Sequence, residues 1–216
     1  MPPQSVFKEV GPNDGKAGDE ASLDVQYIMA TGQGVETTYV YLDGNAANPF
    51  TNWLVWAGNA TDAELPKVHS LSVGAPENAV GAQIMDRMNT EMAALGARGV
   101  TIVFASGDNG YQKEMNYGAA SPYVLSVGGI YNGELRNSVL QVDSLSSGGF
   151  AASPLNKAQP WQNASIYSFL STHGLRPAHI NPAQRAVPDI SAYDDDINIV
   201  QGGQVTTGTL SHANMT

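Results

Sequence analysis

Apolar residues recur along the chain with two different spacings, and the alternation between them predicts the secondary structure. Residues 77–95 carry apolar side chains three and four positions apart, the spacing of one helical face, at Val80, Ile84, Met88, Met92 and Leu95. Residues 100–105 form an uninterrupted apolar run, which is typical of a strand buried on both faces of a parallel sheet. Gly99 lies between the two segments and predicts the stop of the helix.

Shorter segments extend the same alternation. Helices are predicted over 19–30, with Asp19 as the N-cap and Gly32 beyond the end, over 162–172, and over the tryptophan-containing segment 52–57. Strands are predicted over 38–42, 67–73 and 123–127. Strands that alternate with helices predict an α/β fold with a largely parallel sheet. No domain linker interrupts the pattern, so residues 1–216 are interpreted as belonging to one domain.

The charge balance limits the classes of molecule that the chain is expected to bind. The chain carries 20 acidic and 10 basic residues, a net charge of −10. Nucleic acid and anionic membrane surfaces both attract basic proteins, so neither is an expected partner. An acidic protein repels itself less when its carboxylates are protonated, which suits an acidic compartment.

Several kinds of site are excluded or disfavoured by composition. The chain has no cysteine, so disulfides and thiolate zinc sites are excluded. Its four histidines lack zinc-binding spacing, no apolar run reaches the ~18 residues of a membrane span, and no secretory leader is evident. Glycosylation sequons at Asn59, Asn163 and Asn214 mildly favour a secretory route. Sequons without a leader lead us to expect a chain that has lost its front end.

The first candidate for chemistry is a pair of acids in residues 18–28. Glu20 and Asp24 are four residues apart at the start of a predicted helix, so their side chains share one face. Two neighbouring carboxylates do not ionise independently, and acid pairs with separated pKa values are used in acid–base catalysis. Acids near a helix N-terminus are also common for the simpler reason that they complement the helix dipole.

Four further segments occur in a fixed order after this one. Residues 99–110 read as a strand that runs into a glycine-rich turn, and they are followed by the segments 120–129, 146–150 and 187–192. Together with residues 18–28, this order and spacing resembles the sedolisin family of serine-carboxyl peptidases. The resemblance covers about residues 18–207. It implies a subtilisin-like three-layer α/β fold with a largely parallel central sheet, present here in incomplete form.

The resemblance also implies catalytic roles for three acids. Glu20 would be the general base that takes a proton from a serine hydroxyl, and Asp24 would orient Glu20 and share its proton. Asp108 would donate a hydrogen bond from its protonated carboxyl to the oxyanion, which requires acidic conditions. The alternative for Asp108 is an ordinary turn residue before Asn-Gly.

The ends of two predicted strands are the candidate substrate-binding segments. Ser72 and Gly74 follow one strand, and Ser106 and Gly107 follow the next. In the family such strand ends line the cleft and pair with the peptide backbone. A simple strand-ending turn is the alternative for residues 72–74.

Other polar residues are given structural roles. The histidines His69, His173, His179 and His212 need no part in glutamate-based catalysis, and each is interpreted as a surface or structural residue. Asp189 is interpreted as a structural hydrogen-bonding acid. The acidic run 194–196 lacks the alternating ligands of a calcium loop and is interpreted as a solvated loop.

The expected nucleophile is where the chain departs from the family. The family serine lies in a Gly-Thr-Ser-Ala-Ser-x-Pro segment, whereas Gly208-Thr209 is followed here by Leu210, and Ser211 comes one residue late. Ser211 is therefore only a weak candidate for the nucleophile. We expect an incomplete catalytic domain without the propeptide, the first part of the domain and the C-terminal serine and calcium segment. Such a chain needs no cofactor and is expected to show no peptidase activity.

The resemblance favours a peptidase that acts on peptides or proteins in acid, releases N-terminal tripeptides, and works in the lysosome or after secretion. The alternative is an inactive product that binds peptides or a partner through the same cleft. A nucleotide-binding α/β domain is disfavoured, because neither a P-loop nor a G-x-G-x-x-G segment follows a strand.

Overall fold

The fold is built on strands and helices that alternate, and the computed structural model describes residues 8–13, 15, 18–41, 49–131, 140–173, 180–194 and 197–208. Within these residues the helices are α1 (Asp19–Thr31), α2 (Pro49–Asn59), α3 (Glu77–Val80), α4 (Ala82–Ala97) and α5 (Asn163–His173). The strands are β1 (Lys8–Val10), β2 (Thr38–Val40), β3 (Val68–Leu71), β4 (Ala75–Pro76), β5 (Thr101–Ala105), β6 (Tyr111–Gln112), β7 (Asn116–Tyr117), β8 (Leu125–Tyr131), β9 (Gln141–Val142), β10 (Gly148–Phe150), β11 (Ala186–Val187), β12 (Ile190–Tyr193), β13 (Ile197–Gln201) and β14 (Gln204–Gly208).

The central sheet has the strand order β12-β8-β5-β3, and all of these neighbours are parallel. Only the short β9 runs antiparallel, against the end of β8. Leu71 pairs with Phe104, which places the carboxyl ends of β3 and β5 side by side. The predicted parallel α/β sheet is confirmed.

Helices α2 and α4 share the main hydrophobic core with one face of this sheet. Ile102 and Phe104 of β5 are 2% and 0% exposed, and the Phe104 ring lies 6.2 Å from Phe50 and 6.0 Å from Trp53 of α2. The opposite face is less covered, because Val103 is only partly buried and Thr101 is exposed. The expectation of a strand buried on both faces is therefore only partly correct.

The helix predicted over 77–95 is interrupted. Gly81 has a φ of +82°, so α3 ends at Val80 and α4 begins at Ala82. This φ is readily adopted by glycine alone, and the apolar periodicity continues across the break without revealing it. Glu77, at the start of α3, lies in the interior and is 2% exposed.

Helix α1 matches the predicted segment, but its N-cap lies one residue earlier than predicted. Gly18 is the N-cap, in an extended conformation, and Asp19 is already inside the first turn. Gly32 ends the helix as predicted. The assignment of Asp19 as the N-cap is wrong, because the carbonyl of Gly18 already accepts the first helical hydrogen bond, from the N–H of Ser22.

The other predicted elements are present with shifted ends. The helix over 52–57 is longer, the one over 162–172 starts one residue later after a short 3₁₀ turn, and the strand over 67–73 is shorter. The strand over 123–127 starts later and extends to Tyr131, because β8 pairs with β5 on one side and with β12 on the other. No helix in the described ranges has the length and apolarity needed to cross a bilayer.

Candidate active site

The carboxyl ends of β3 and β5 bring the predicted substrate-binding residues to one edge of the sheet. Ser72 and Gly74 follow β3, while Ser106 and Gly107 follow the adjacent β5. Ser106 is fully buried, and its N–H donates to the carbonyl of Val127 over 2.8 Å. The two segments are therefore neighbours, as the sequence predicts, although a role in substrate binding stays a prediction.

Asn116 fills the space between these two strand ends and was not anticipated from the sequence. A Cβ atom at Gly107 would lie 2.7 Å from Asn116 Nδ2, and one at Gly74 would lie 3.0 Å from Asn116 Cβ. Gly107 also has a φ of +112°, which disfavours any other residue. Both glycines are thus required for the side chain of Asn116 to lie where it does.

Helix α1 brings the predicted acid pair to the same edge. The hydroxyl of Ser72 donates a hydrogen bond of 3.1 Å to Oδ1 of Asp24. Burial, followed by the negative charge of Glu20, raises the pKa of Asp24 to about 7, and the Ser72 hydrogen bond opposes that rise. Glu20 and Asp24 therefore act on each other electrostatically, as the four-residue spacing predicts, while direct contact of their carboxyl groups stays a prediction.

Asp108 lies in a turn that leaves the same edge and is fixed from the opposite loop. The N–H of Ser147 donates to the carbonyl of Gly107 over 2.8 Å, and the N–H of Asn109 donates to Oγ of Ser147 over 3.0 Å. These two bonds bracket Asp108, whose side chain is partly buried. Since Asp108 and the Ser72–Asp24 contact follow adjacent parallel strands, they share the carboxyl edge of the sheet.

The candidate nucleophile cannot be located relative to these acids, because Leu210 and Ser211 lie outside the described residues. The same holds for the predicted site of Asn214 and for the side chains of His173, His179 and His212.

His69 is an interior residue, in agreement with its predicted structural role. It is 6% exposed, and its Nδ1 accepts a hydrogen bond of 3.1 Å from the indole N–H of Trp53. Its ring also packs against Trp56 at 5.8 Å. Burial lowers the pKa of His69, which favours the neutral ring.

Asp189 forms a buried ion pair at the opposite, amino-terminal edge of the sheet. Its carboxylate accepts bonds of 2.7 and 2.5 Å from Nη1 and Nη2 of Arg185, and others of 2.8 Å from Gln162 Nε2 and Ser126 N–H. The side chains of Arg185 and Asp189 are 0% and 2% exposed. The structural role predicted for Asp189 is confirmed, whereas its partner was missed although the i, i+4 spacing pointed to it.

Glu77 is a further buried acid, and its burial was not predicted from the sequence. It accepts hydrogen bonds of 2.6 Å from both the N–H of Ala152 and Nδ2 of Asn156. Burial raises the pKa of Glu77, and these bonds only partly counteract it. The contact anchors the segment after Gly74 to the loop that follows β10.

The interpretation of the acidic run 194–196 as a solvated loop is wrong for its first member. Asp194 is 3% exposed, because its carboxylate packs directly on the Cα of Gly129 in β8. Asp195 and Asp196 lie outside the described residues. Within the part of the chain that the structure describes, no three His, Asp or Glu side chains are grouped as a metal site.

Comparison with known proteins identifies the family. A sequence profile of the subtilase family matches residues 28–216. The chain belongs to the subtilase family. This subtilase is 36% identical to tripeptidyl-peptidase 1 of Homo sapiens over 213 residues and of Mus musculus over 214, and 35% identical to that of Canis lupus familiaris over 211. Each match covers 91% of the subtilase chain but only 37% of the relative, so the chain spans little more than a third of these curated relatives.

Solved structures show the same fold as this subtilase. A Pseudomonas sedolisin, described as a serine-carboxyl proteinase complexed with two molecules of pseudo-iodotyrostatin, matches 98% of the chain and 65% of its own length, with a TM-score of 0.62 and 22% identity. Sphericase matches 83% of the chain and 51% of its own length, with a TM-score of 0.53 and 18% identity. The predicted subtilisin-like fold and the resemblance to sedolisins are both confirmed.

Proposed function

We propose that this chain is part of a serine-carboxyl peptidase domain and carries the acid half of its active site. The whole protein would hydrolyse peptide bonds in acid and release N-terminal tripeptides. The observation that carries the proposal is the Ser72–Asp24 hydrogen bond, which ties the helix of Glu20 and Asp24 to the edge where Asp108 lies. The likeness to relatives named tripeptidyl-peptidase 1 supports the substrate class.

In the proposed reaction Glu20 is the base. Its carboxylate accepts the proton of the attacking serine hydroxyl while the serine oxygen bonds to the peptide carbonyl carbon. Asp24, whose pKa is about 7, is protonated in acid and can donate a hydrogen bond that orients Glu20. Glu20 then returns the proton to the leaving amine as the C–N bond breaks, and water hydrolyses the acyl-enzyme by the same steps in reverse.

Asp108 serves as the hydrogen-bond donor to the oxyanion. A protonated carboxyl can donate to the developing negative charge, a contribution of ~3 kcal/mol to transition-state stabilisation in comparable oxyanion holes. The bonds from Ser147 and Asn109 hold its turn before substrate arrives, so little reorganisation is needed. The proposed role requires the protonated carboxyl, because a carboxylate would repel the oxyanion.

The substrate would lie along the two glycine-containing strand ends. An extended peptide would pair with the backbone of these strand ends in the manner of an added strand, next to the Asn116 side chain that fills the space beside Gly74 and Gly107. Peptides or proteins are therefore the proposed partners, and the proposed reaction needs no cofactor.

The function is tested by tripeptide release from a fluorogenic peptide with a free N-terminus between pH 3 and 7. Because Leu210 stands where the family serine is expected, we expect the chain itself to be inactive, and a restored full-length version with the family's Gly-Thr-Ser-Ala-Ser-x-Pro segment to gain release in acid. Adding Glu20→Gln should abolish that gain, since an amide cannot accept the serine proton. Adding Asp108→Asn should leave partial activity with a flatter acid limb, because an amide still donates. Gained release that survives Glu20→Gln contradicts the mechanism.

The same assay tests whether Ser211 is the nucleophile. Release by the unmodified chain that disappears in Ser211→Ala would assign the nucleophile to Ser211 instead of to position 210.

A peptide-binding module without turnover is the second candidate, and Leu210 at the serine position favours it. Saturable binding of a labelled peptide, measured by fluorescence anisotropy and followed by no release, is its signature. Gly74→Ala should weaken that binding because it adds a methyl group to the strand end that contacts Asn116.

We also propose a lysosomal or secreted location, with glycans at Asn59 and Asn163. Asn59 ends α2, Asn163 begins α5, and both residues are exposed. Expression behind a secretory leader should give a product whose gel mobility changes on endoglycosidase treatment. Asn59→Gln and Asn163→Gln should each reduce this mobility shift by the contribution of one glycan. A product whose mobility does not change on endoglycosidase treatment would contradict the assignment.

A further inference from the structure

Strand β13 of the β13–β14 hairpin presents two residues with outward-facing backbone groups. Gly202 and Gly203, with φ of +57° and +78°, form its two-residue turn, and Gln201 pairs with Gln204 beside them. In an antiparallel pair closed this way, alternate residues direct N–H and C=O away from the partner strand. The outward-facing residues of β13 are Asn198 and Val200.

Gln26 of α1 binds Val200 as a neighbouring strand would. Its Nε2 donates to the carbonyl of Val200 over 2.8 Å, and its Oε1 accepts from the N–H of Val200 over 2.7 Å. A single side-chain amide therefore satisfies both backbone groups of one residue.

Tyr27 makes the corresponding contact two residues along the strand. Its hydroxyl accepts from the N–H of Asn198 over 3.2 Å and donates to the carbonyl of Asn198 over 3.3 Å. A shift of the hairpin by one residue would turn these backbone groups away from α1, so the two contacts together select one register.

Apolar packing beneath these bonds holds the same two elements together. Leu23 of α1 is 1% exposed and clusters with Ile197 and Ile199, which are 3% and 2% exposed, while the ring of Tyr27 packs against them. Leu23 and Tyr27 are one helical turn apart, so the apolar contact and the hydrogen bonds lie along one side of the helix.

The acid pair occupies the adjacent side of α1. At ~100° per residue, Glu20 and Asp24 share one face. Leu23 and Gln26 are turned away from it, and Tyr27 lies at its border, about two turns along from Glu20. The helix is thus held by Ser72 at the acid face and by β13 at the other.

We propose that Gln26 and Tyr27 are positioning residues, which clamp α1 to the β13 edge and so fix the rotation of the helix that presents Glu20 and Asp24 to the site. This inference rests on the proposed function for its catalytic meaning. The hairpin ends at Gly208, and the chain continues from it directly to Leu210 and Ser211.

The clamp is tested on the full chain by amide hydrogen exchange, with Gln26→Ala and Tyr27→Phe as variants. Gln26→Ala should increase exchange at Val200 by on the order of tenfold, since its N–H loses a hydrogen bond of ~1.4 kcal/mol. Tyr27→Phe keeps the ring and should release Asn198 in the same way. Ile199 lies between them in the hairpin ladder and serves as the internal reference. Gln33→Ala, at an exposed position just beyond α1, is the matched control.

A second readout separates positioning from a local contact. Carboxyl NMR titration of Asp24 should show its midpoint falling from about 7 in both variants, because a loosened helix admits water to the carboxyl. Unchanged exchange at Val200 and Asn198 would overturn the clamp. Faster exchange with an unchanged Asp24 midpoint would overturn the positioning role. Neither readout depends on peptide hydrolysis, so a failure of the proposed function shows separately in the release assay.

Discussion

Asp24 and Asp189 are two aspartates withdrawn from water at opposite edges of the same sheet, and their surroundings differ in kind. Asp189, at the amino edge, faces the Arg185 guanidinium and accepts four hydrogen bonds from described residues. Asp24, at the carboxyl edge, accepts a bond from Ser72 and faces the negative charge of Glu20. The first carboxylate is paired with a cation, whereas among the described residues the second meets a hydroxyl and a like charge, so that protonation neutralises it.

The difference separates a structural acid from one suited to proton transfer. A buried charge that is fully paired fixes the local geometry, and breaking the pair is costly because the remaining charge is stranded. A carboxyl that loses water without gaining a cation has its pKa raised toward the working pH instead. The comparison supports a catalytic carboxyl edge and a supporting amino edge, the usual division of parallel α/β folds.

The largest change in the free energy of unfolding should come from breaking the Arg185–Asp189 pair. Arg185→Met leaves the Asp189 carboxylate buried without its cation and should lower the free energy of unfolding by about 3–5 kcal/mol. Urea denaturation at pH 7 measures the change. Arg87→Met, at an exposed arginine of α4, should change it by no more than about 0.5 kcal/mol. Equal effects of the two substitutions would remove the structural distinction between the aspartates.

Removing the charge of Asp24 should have the opposite effect: it should raise the free energy of unfolding, and the gain should depend on pH. The folded state raises its pKa from an ordinary value of 3.8 to about 7, so the folded protein holds this proton more tightly than the unfolded chain. The cost of the buried charge is present above pH 7 and disappears as the pH falls from about 7 toward 4. Asp24→Asn should therefore stabilise the protein by on the order of 2–4 kcal/mol at pH 8 and hardly at all at pH 4.

Thermal unfolding at the two pH values checks this prediction. Asp19→Asn, at an exposed acid in the first turn of the same helix, is the matched control and should show no such pH dependence. A loss of stability in Asp24→Asn at pH 8 would mean that the Asp24 charge is compensated after all.

The smallest effect is expected from removing the Ser72 hydroxyl, which donates a hydrogen bond to Asp24. The Ser72 hydrogen bond lowers the pKa of Asp24 against the effects of burial and Glu20. Ser72→Ala should therefore move the Asp24 midpoint further upward in an NMR titration, with little change in the fold. Val73 beside it offers a control, since Val73→Ala removes apolar volume without a hydrogen bond to Asp24. A midpoint unmoved by Ser72→Ala would mean that the hydroxyl does not contribute to the charge balance of the site.

Local patterns predicted the elements well where one physical cue dominated. The apolar run of β5 and the buried face of α4 at Met88, Met92 and Leu95 were evident, because burial imposes those spacings directly. Ile84, predicted on the same face, is 41% exposed. The break at Gly81 was not evident, since a single glycine permits both a continued helix and a positive φ. The buried contacts of Glu77 accompany the break, and its partner Ala152 lies 75 residues further along the chain.

The sequence by itself determined that Glu20 and Asp24 share a helical face and that Ser106-Gly107-Asp108 ends a strand, because both follow from spacings of a few residues. Only the tertiary structure decided that Ser72, 48 residues from Asp24, would donate to it, and that Asn116 would lie between Gly74 and Gly107. It likewise decided that Gln26 and Tyr27 would bind the edge of β13. Such contacts depend on how helices and strands pack across the sheet, and helical or strand periodicity carries no information about partners so distant along the chain.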